Sequence, residues 1–246
     1  MMKTKRFDIP IYLRFIFAFL LLFAVKTGFS AETVACETSW FNSGEGVKAR
    51  DQVTEYKEAG IFTQDEVCHI ETRKDFTYIL ITALEKHLDR DFRKTLLEGN
   101  PPFIDISLAE VKFAKFERAI KQAYGDGNTS PTSKFGILSV ESHKKFRPND
   151  FISRIEALVM TVRAYEDFCG KITDEDYFSD HDSAESWMQS YLAKGKAQHL
   201  SKGYFKEGQY TNYFSPNKQV PRHETVGFVQ KLVDQIEQCG GTTTDD

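Results

Sequence analysis

The sequence lacks the short motifs that mark common enzymes and metal proteins. It contains no C-x-x-C pair, which argues against a thioredoxin-like redox site and against a zinc ribbon. It contains neither H-E-x-x-H nor G-x-S-x-G, and no glycine-rich phosphate loop. The histidines are scattered at positions 69, 87, 143, 181, 199 and 223. We therefore expect no catalytic residue, no metal site and no cofactor.

Long hydrophobic runs are also scarce. The apolar run from Phe15 to Val25 has 11 residues, whereas a membrane-spanning helix needs about 20. It follows a basic stretch and precedes small residues that suit cleavage before Ala31. This pattern is typical of a secretory signal peptide at residues 1–30. An uncleaved anchor is the alternative; with cleavage, no transmembrane span is expected and the protein is exported, to the cell surface or the periplasm.

The chain has no excess of positive charge. After residue 30 it holds 27 Lys and Arg against 35 Asp and Glu, a net charge of about −8. Nucleic-acid binding depends on neutralising phosphates with basic side chains. The charge balance therefore does not favour a nucleic-acid partner.

Cysteines are few, and all four lie after the predicted cleavage site. They are Cys36, Cys68, Cys169 and Cys239. An even number in an exported protein suggests two disulfides. Of the three possible connectivities we favour Cys36 with Cys68 and Cys169 with Cys239, although spacing alone leaves free thiols open.

A stretch that occurs twice organises what is present. Residues 146–156 and 214–224 both fit F-x-P-N-x-x-(I/V)-x-R-x-E, and each leads into an apolar-periodic segment. Ser153 and Glu156 have the spacing of a capping box, which predicts a helix start. In the other copy Pro221 suits the first helical position, and Glu224 matches Glu156.

A third, weaker copy lies upstream and lacks the turn residues. Thr72, Arg73 and Asp75 repeat the order of hydroxyl, arginine and acid, so Thr72 is a predicted cap. An apolar stripe at helical spacing follows each arginine. The stripes contain Phe76, Ile79, Leu80, Ala83, Leu84 and Leu88; Ile155, Leu158, Val159 and Val162; and Val226, Val229, Leu232, Val233 and Ile236.

These three helix starts resemble the T-R-A-E signature of S-layer homology (SLH) repeats. Phe178-Ser179-Asp180, Trp187 and Gly203 match the landmarks that precede the signature, Phe103-Ile104-Asp105 matches in part, and Trp40 stands in the degenerate first copy. The resemblance implies an all-α fold of three SLH-like helical repeats packed as a pseudo-threefold bundle with grooves between repeats. The repeats would span residues 31–98, 99–170 and 171–239, before a disordered tail at 240–246.

The arginines are the predicted ligand-binding residues. A helix N-terminus favours an anion, and a guanidinium can grip a carboxylate with two hydrogen bonds. Arg73, Arg154 and Arg222 would therefore hold an acidic sugar, with Trp187 stacking on a sugar ring. The alternatives are that each arginine pairs with an acid of an adjacent repeat, and that the tryptophan belongs to the core.

Two other readings of acidic residues carry less weight. The acidic stretch at residues 174–182 lacks the spacing of an EF-hand, so we interpret it as a solvated loop, with Asp180 as a landmark of the third repeat. Glu156 and Glu224 could form a carboxylate pair for glycoside cleavage, but their predicted capping roles argue against catalysis.

The expected function is non-catalytic anchoring to the cell envelope. The SLH resemblance implies binding of an acidic, often pyruvylated, cell-wall polysaccharide. Two alternatives remain: a scaffold that binds another envelope protein, and a cell-wall hydrolase.

Overall fold

The structure is a computed structural model that describes residues 44–58, 60, 68–87, 145–206 and 208–239. All of them belong to one compact unit, Val34–Asp246. The predicted signal peptide, Cys36, Trp40, Leu88, the Phe103 landmark and the tail lie outside the described residues. The predicted boundaries between repeats at residues 98 and 99 also lie outside them.

The described part of the chain is mostly helical. Its five α-helices are α1 (Gly44–Glu58), α2 (Arg73–His87), α3 (Arg154–Cys169), α4 (Ser186–Ala197) and α5 (Arg222–Gln238). A short 3₁₀ turn (His181–Ser183) precedes α4, and a two-stranded hairpin of β1 (Phe205–Lys206) and β2 (Gln209–Tyr210) follows it. None of these helices has the length and apolar character needed to cross a membrane.

Side-chain caps explain where two of the helices begin. The Ser153 hydroxyl accepts from the Glu156 N–H, and the Glu156 carboxylate accepts from the Ser153 N–H at 2.9 Å, which is the predicted capping box of α3. Thr72 and Asp75 make the same reciprocal pair before α2, with N···O distances of 3.3 and 3.4 Å. Both pairs satisfy backbone donors that the first helical turn leaves free.

The start of α5 differs from its prediction. Pro221, predicted at the first helical position, is instead the N-cap, so the helix begins one residue later at Arg222, and no side chain caps it. Proline has no side-chain acceptor with which to satisfy the first-turn N–H groups. Arg222 N–H instead donates to the His69 carbonyl at 2.8 Å, and Glu224 N–H to the Pro221 carbonyl at 2.9 Å.

The core lies between the predicted apolar stripes. Among the described stripe residues of α2, α3 and α5, each is buried. The central helix is α5, which packs against α1, α2 and α3, while α4 packs against α3. Gly195 permits the close approach of α4, since a Cβ there would meet the Leu158 side chain at 2.7 Å.

Three short extended segments precede α2, α3 and α5, and we call them the cap segments: residues 70–72, 151–153 and 219–221. Their antiparallel bridges join Thr72 to Phe151, Ser153 to Gln219, and Pro221 to Ile70. The last residue of each segment therefore pairs with the first residue of the next, and the third segment pairs with the first.

A cycle of three backbone hydrogen bonds passes through the middle residues of the cap segments. Glu71 N–H donates to the Val220 carbonyl at 3.0 Å, Val220 N–H to the Ile152 carbonyl at 3.1 Å, and Ile152 N–H to the Glu71 carbonyl at 3.1 Å. Segments far apart in sequence thus satisfy one another's buried backbone groups.

The residues predicted as landmarks of a third repeat have structural roles. The Asp180 carboxylate accepts from the N–H groups of Phe214 and Ser215, at 2.8 and 2.7 Å. It thereby holds Ser215 in the left-handed region, with φ of 59°. Gly203 lies so close to the Thr211 carbonyl that a Cβ would overlap it. Only glycine fits at this crossing.

One predicted disulfide is confirmed. Cys169 and Cys239 are bonded, with a Cα–Cα distance of 5.9 Å, and they join the C-terminal ends of α3 and α5. Cys68 is also disulfide-bonded. Its predicted partner, Cys36, lies outside the described residues.

Candidate functional site

Arg154, the first residue of α3, points into the protein and reaches the third copy of the motif. Its Nε donates to the Phe214 carbonyl at 2.8 Å, and its Nη1 forms an ion pair with Glu224. The guanidinium also stacks over the Phe214 ring, 4.7 Å from the ring centroid. Only 5% of Arg154 is exposed. Its charge is therefore satisfied inside the protein.

Arg73, the first residue of α2, makes the equivalent contacts one copy earlier. Its Nε donates to the Phe146 carbonyl at 2.7 Å, and its Nη1 pairs with Glu156. The guanidinium lies over the Phe146 ring at 5.3 Å. The same set of partners thus occurs twice: the carbonyl and ring of the phenylalanine that opens the motif, and the acid that ends it.

Arg222, the first residue of α5, reaches back to the first copy. Its backbone N–H donates to the His69 carbonyl at 2.8 Å, and its Nε donates to Glu71 Oε1 at 2.6 Å. Arg222 is 6% exposed and Glu71 is fully buried. Here the partner acid lies in the cap segment rather than in the helix, so this junction differs from the other two.

Burial has the largest effect on the pKa of the Glu71 carboxyl. It raises the pKa of this carboxyl to about 7, and the negative charge of Asp75 adds to the rise, although the Arg222 guanidinium opposes it. At Glu224 the balance is reversed. Burial there raises the pKa, but the positive charges of Arg154, Lys218 and His223 outweigh it and lower the pKa below its usual range.

These contacts decide between the two readings of the arginines. Arg154 and Arg222 are buried and bonded to acids of the next copy, so in this conformation a glycan cannot reach their guanidinium groups. The predicted direct contact is corrected at both positions, and the alternative, pairing between adjacent copies, is what the structure contains. Arg73 is more accessible, with 12% of its side chain exposed, but it is engaged in the same way.

The two motif glutamates have separate roles. Glu156 caps α3 and also pairs with Arg73 and Arg147. Glu224 does not cap α5, contrary to its prediction, because the N-cap residue Pro221 has no backbone N–H to donate to it. Its carboxylate pairs with Arg154 and Lys218. Both carboxylates are already committed to cations.

Trp187 lies on the surface rather than in the core, with 49% of the residue exposed. Its ring packs edge-on against Tyr191, one turn later on α4, with 6.4 Å between centroids. The Arg163 guanidinium of α3 lies over the Tyr191 ring at 5.0 Å and donates to its hydroxyl at 3.2 Å. We call Trp187, Tyr191 and Arg163 the aromatic strip. In this strip the exposed indole and the cation contact the same tyrosine ring.

The acidic stretch before α4 does not converge on one point. Asp174, Glu175 and Asp176 are exposed, and Asp176 pairs with Lys196 at 3.0 Å. Asp180 is occupied by backbone donors, as described above. The interpretation of this stretch as a solvated loop is consistent with these positions.

Sequence reasoning missed Glu71 and the aromatic strip. Glu71 stands two positions before Arg73, where the other copies have Ile152 and Val220. The sequence did offer one signal for Glu71: it is an acid at a position that is apolar in both other copies. Arg163 and Tyr191 lie on different helices, and their proximity follows from packing alone.

No protein-family model matches this chain, and no curated protein matches it. The SLH resemblance therefore rests on the motif residues alone.

Proposed function

We propose that this chain is an exported, non-catalytic protein of three SLH-like repeats that attaches to an acidic polysaccharide of the cell envelope. The pseudo-threefold arrangement is part of the proposal. It is supported by the cyclic order of the cap segments and by the arginines, each of which reaches the following copy. The packing of α4 on α3 and of α1 on α5 follows the same order.

In this proposal the motif arginines organise the repeats and do not touch the sugar. A buried guanidinium that bonds a backbone carbonyl and a carboxylate fixes the angle between two copies. The requirement for arginine at the helix start is then architectural, and the ligand contacts lie elsewhere on the same units.

The observation that carries glycan binding is the aromatic strip. Trp187 is half exposed, its Nε1–H is already held by Glu185 Oε2 at 2.7 Å, and Arg163 lies one ring away. An indole face can stack on a sugar ring. The Arg163 guanidinium, which is held against Tyr191, adds positive charge on the same strip. The strip thus combines an exposed aromatic face with a nearby positive charge, which suits an acidic saccharide.

Sedimentation with purified cell-wall sacculi tests the proposal. We expect the protein to pellet with intact sacculi and to stay in solution after the attached polysaccharide has been removed chemically. Trp187→Ala should weaken the affinity for sacculi roughly tenfold, which corresponds to about 1.4 kcal/mol. Tyr213→Ala is the matched control, because Tyr213 is 51% exposed and lies outside the strip.

Other results would point to other functions. Pelleting that persists after polysaccharide removal would favour a scaffold that binds an envelope protein, and sugar release would favour a hydrolase. If Trp187→Ala pellets like the unaltered protein, the strip is not the glycan site.

A further inference from the structure

A mixed cluster of potential metal ligands lies at the start of α2. His69, Glu71 and Asp75 each offer one ligand atom, and these atoms lie within 4.8 Å of one another. The cluster is at the junction where the third copy of the motif meets the first. None of the three contributes to the aromatic strip.

A second observation points to a missing partner. Glu71 is fully buried, and its Oε1 accepts from Arg222 at 2.6 Å. Its Oε2 is sealed from solvent and has no hydrogen-bond partner among the residues that the structure describes. A buried carboxylate oxygen without a donor is costly, so this oxygen is suited to a bound cation.

We propose that His69, Glu71 and Asp75 bind a divalent transition-metal cation of the Zn²⁺ type. One imidazole nitrogen and two carboxylate oxygens form a donor set that suits zinc, with a fourth position left for water or another group. Bonds of about 2.0–2.2 Å place neighbouring ligands of a tetrahedral ion roughly 3.4 Å apart. The ligand atoms, which lie within 4.8 Å of one another, would therefore have to approach one another by up to about 1.4 Å.

The surrounding contacts already hold the ligands in place. The His69 carbonyl accepts from the Arg222 N–H, and the Glu71 backbone belongs to the cycle of cap segments. Asp75 accepts from the Thr72 N–H. Ligands fixed by backbone and neighbouring groups lose little entropy on binding a metal.

A cation at this position would strengthen the junction between the third and first copies. The other two junctions pair an arginine with the glutamate that ends the motif, whereas this one uses Glu71. Two carboxylates balance the charges of Arg222 and the metal better than one. A bound ion thus stabilises the folded state by linkage.

Metal binding can be measured on the purified full-length chain after chelation. We expect equilibrium dialysis to show one Zn²⁺ per chain, and excess Zn²⁺ to raise the melting temperature by several degrees. His69→Ala should lower the Zn²⁺ affinity at least tenfold and abolish the shift. His181→Ala is the matched control, because the imidazole of His181 also lies beside a carboxylate, that of Asp182, at 3.0 Å.

Two results would overturn the proposal: no stoichiometric Zn²⁺ uptake by the unaltered chain, or unchanged affinity in folded His69→Ala. If that variant does not fold, Asp75→Asn decides, since its amide oxygen can still accept from Thr72. Zn²⁺ affinity equal to that of the unaltered chain would then exclude the site.

Discussion

In the proposed function, Arg154 joins two copies of the motif and does not contact the ligand. Its guanidinium is buried, and removing it takes from the partly buried Glu224 its closest cation and leaves Lys218 as a more distant one. The Phe214 carbonyl also loses a donor. We expect Arg154→Ala to lower the free energy of unfolding by about 3–5 kcal/mol, measured by urea denaturation.

Arg147→Ala is the control for that measurement. Arg147 also pairs with Glu156, but 42% of its side chain is exposed, so its loss should cost less than about 1 kcal/mol. Similar costs for the two variants would mean that Arg154 does not hold the copies together.

The lowered pKa of Glu224 makes stability depend on pH in a defined window. A carboxyl whose folded pKa lies below its ordinary value of 4.5 stabilises the fold above that value, and this stabilisation disappears as the pH falls through the folded pKa. We expect the free energy of unfolding to decrease less steeply with falling pH, below about pH 4.5, in Glu224→Gln than in the unaltered protein. Urea titrations at several pH values would measure this.

Glu71 acts in a different window and with the opposite sign. Its folded pKa of about 7 is raised, so its protonation favours the fold at low pH and this contribution is lost as the pH rises through 7. The two effects are separable because the Glu224 effect lies below pH 4.5. If the stability of Glu224→Gln falls below pH 4.5 in the same way as that of the unaltered protein, the role given to Glu224 is wrong.

Local chemistry at these residues was predictable, but their partners were not. Ser153 and Glu156 are three positions apart, so their capping box is visible in the sequence. Arg154 and Glu224 are 70 positions apart, and nothing local indicates that they meet. The sequence therefore predicted a charged helix start and could not decide whether it faced a sugar or a neighbouring copy.

Among the elements, the loop that follows α4 depends on one glycine. A Cβ at Gly203 would overlap the backbone carbonyl of Thr211, and backbone cannot rotate away as a side chain can. We expect Gly203→Ala to lower stability by about 1–3 kcal/mol, seen as a lower urea midpoint.

Gly227→Ala is the matched substitution in α5. A Cβ at Gly227 would meet nothing within 4 Å, and alanine favours a helix over glycine by about 1 kcal/mol. This variant should be at least as stable as the unaltered chain. The role of Gly203 would be refuted if both variants behaved alike.

Helix stripes were predicted well because burial follows the 3.6-residue period. The β1–β2 hairpin was not predicted, since two-residue strands show no alternation. Gly208 lies between the two strands and has a φ of 83°. A glycine at this position is the local sequence feature that indicates a turn.

At the scale of the whole molecule, the Cys169–Cys239 disulfide closes a loop with a sequence separation of 70. Such a cross-link restricts the unfolded chain, so we expect Cys169→Ser with Cys239→Ser to lose about 2–4 kcal/mol of stability. Comparing the thermal unfolding of the double variant with that of the unaltered protein measures the loss. Equal midpoints would show that the bond does not stabilise the fold.

The cycle of cap segments also limits how such a protein can evolve. Stacked repeats in a solenoid leave an open end, to which a further unit can be added. Here the backbone N–H and carbonyl groups of Glu71, Ile152 and Val220 are hydrogen-bonded to one another. They are therefore not available to pair with a further repeat. A fourth unit could therefore enter only by breaking one of these three hydrogen bonds, whereas a solenoid takes up a further unit without breaking any.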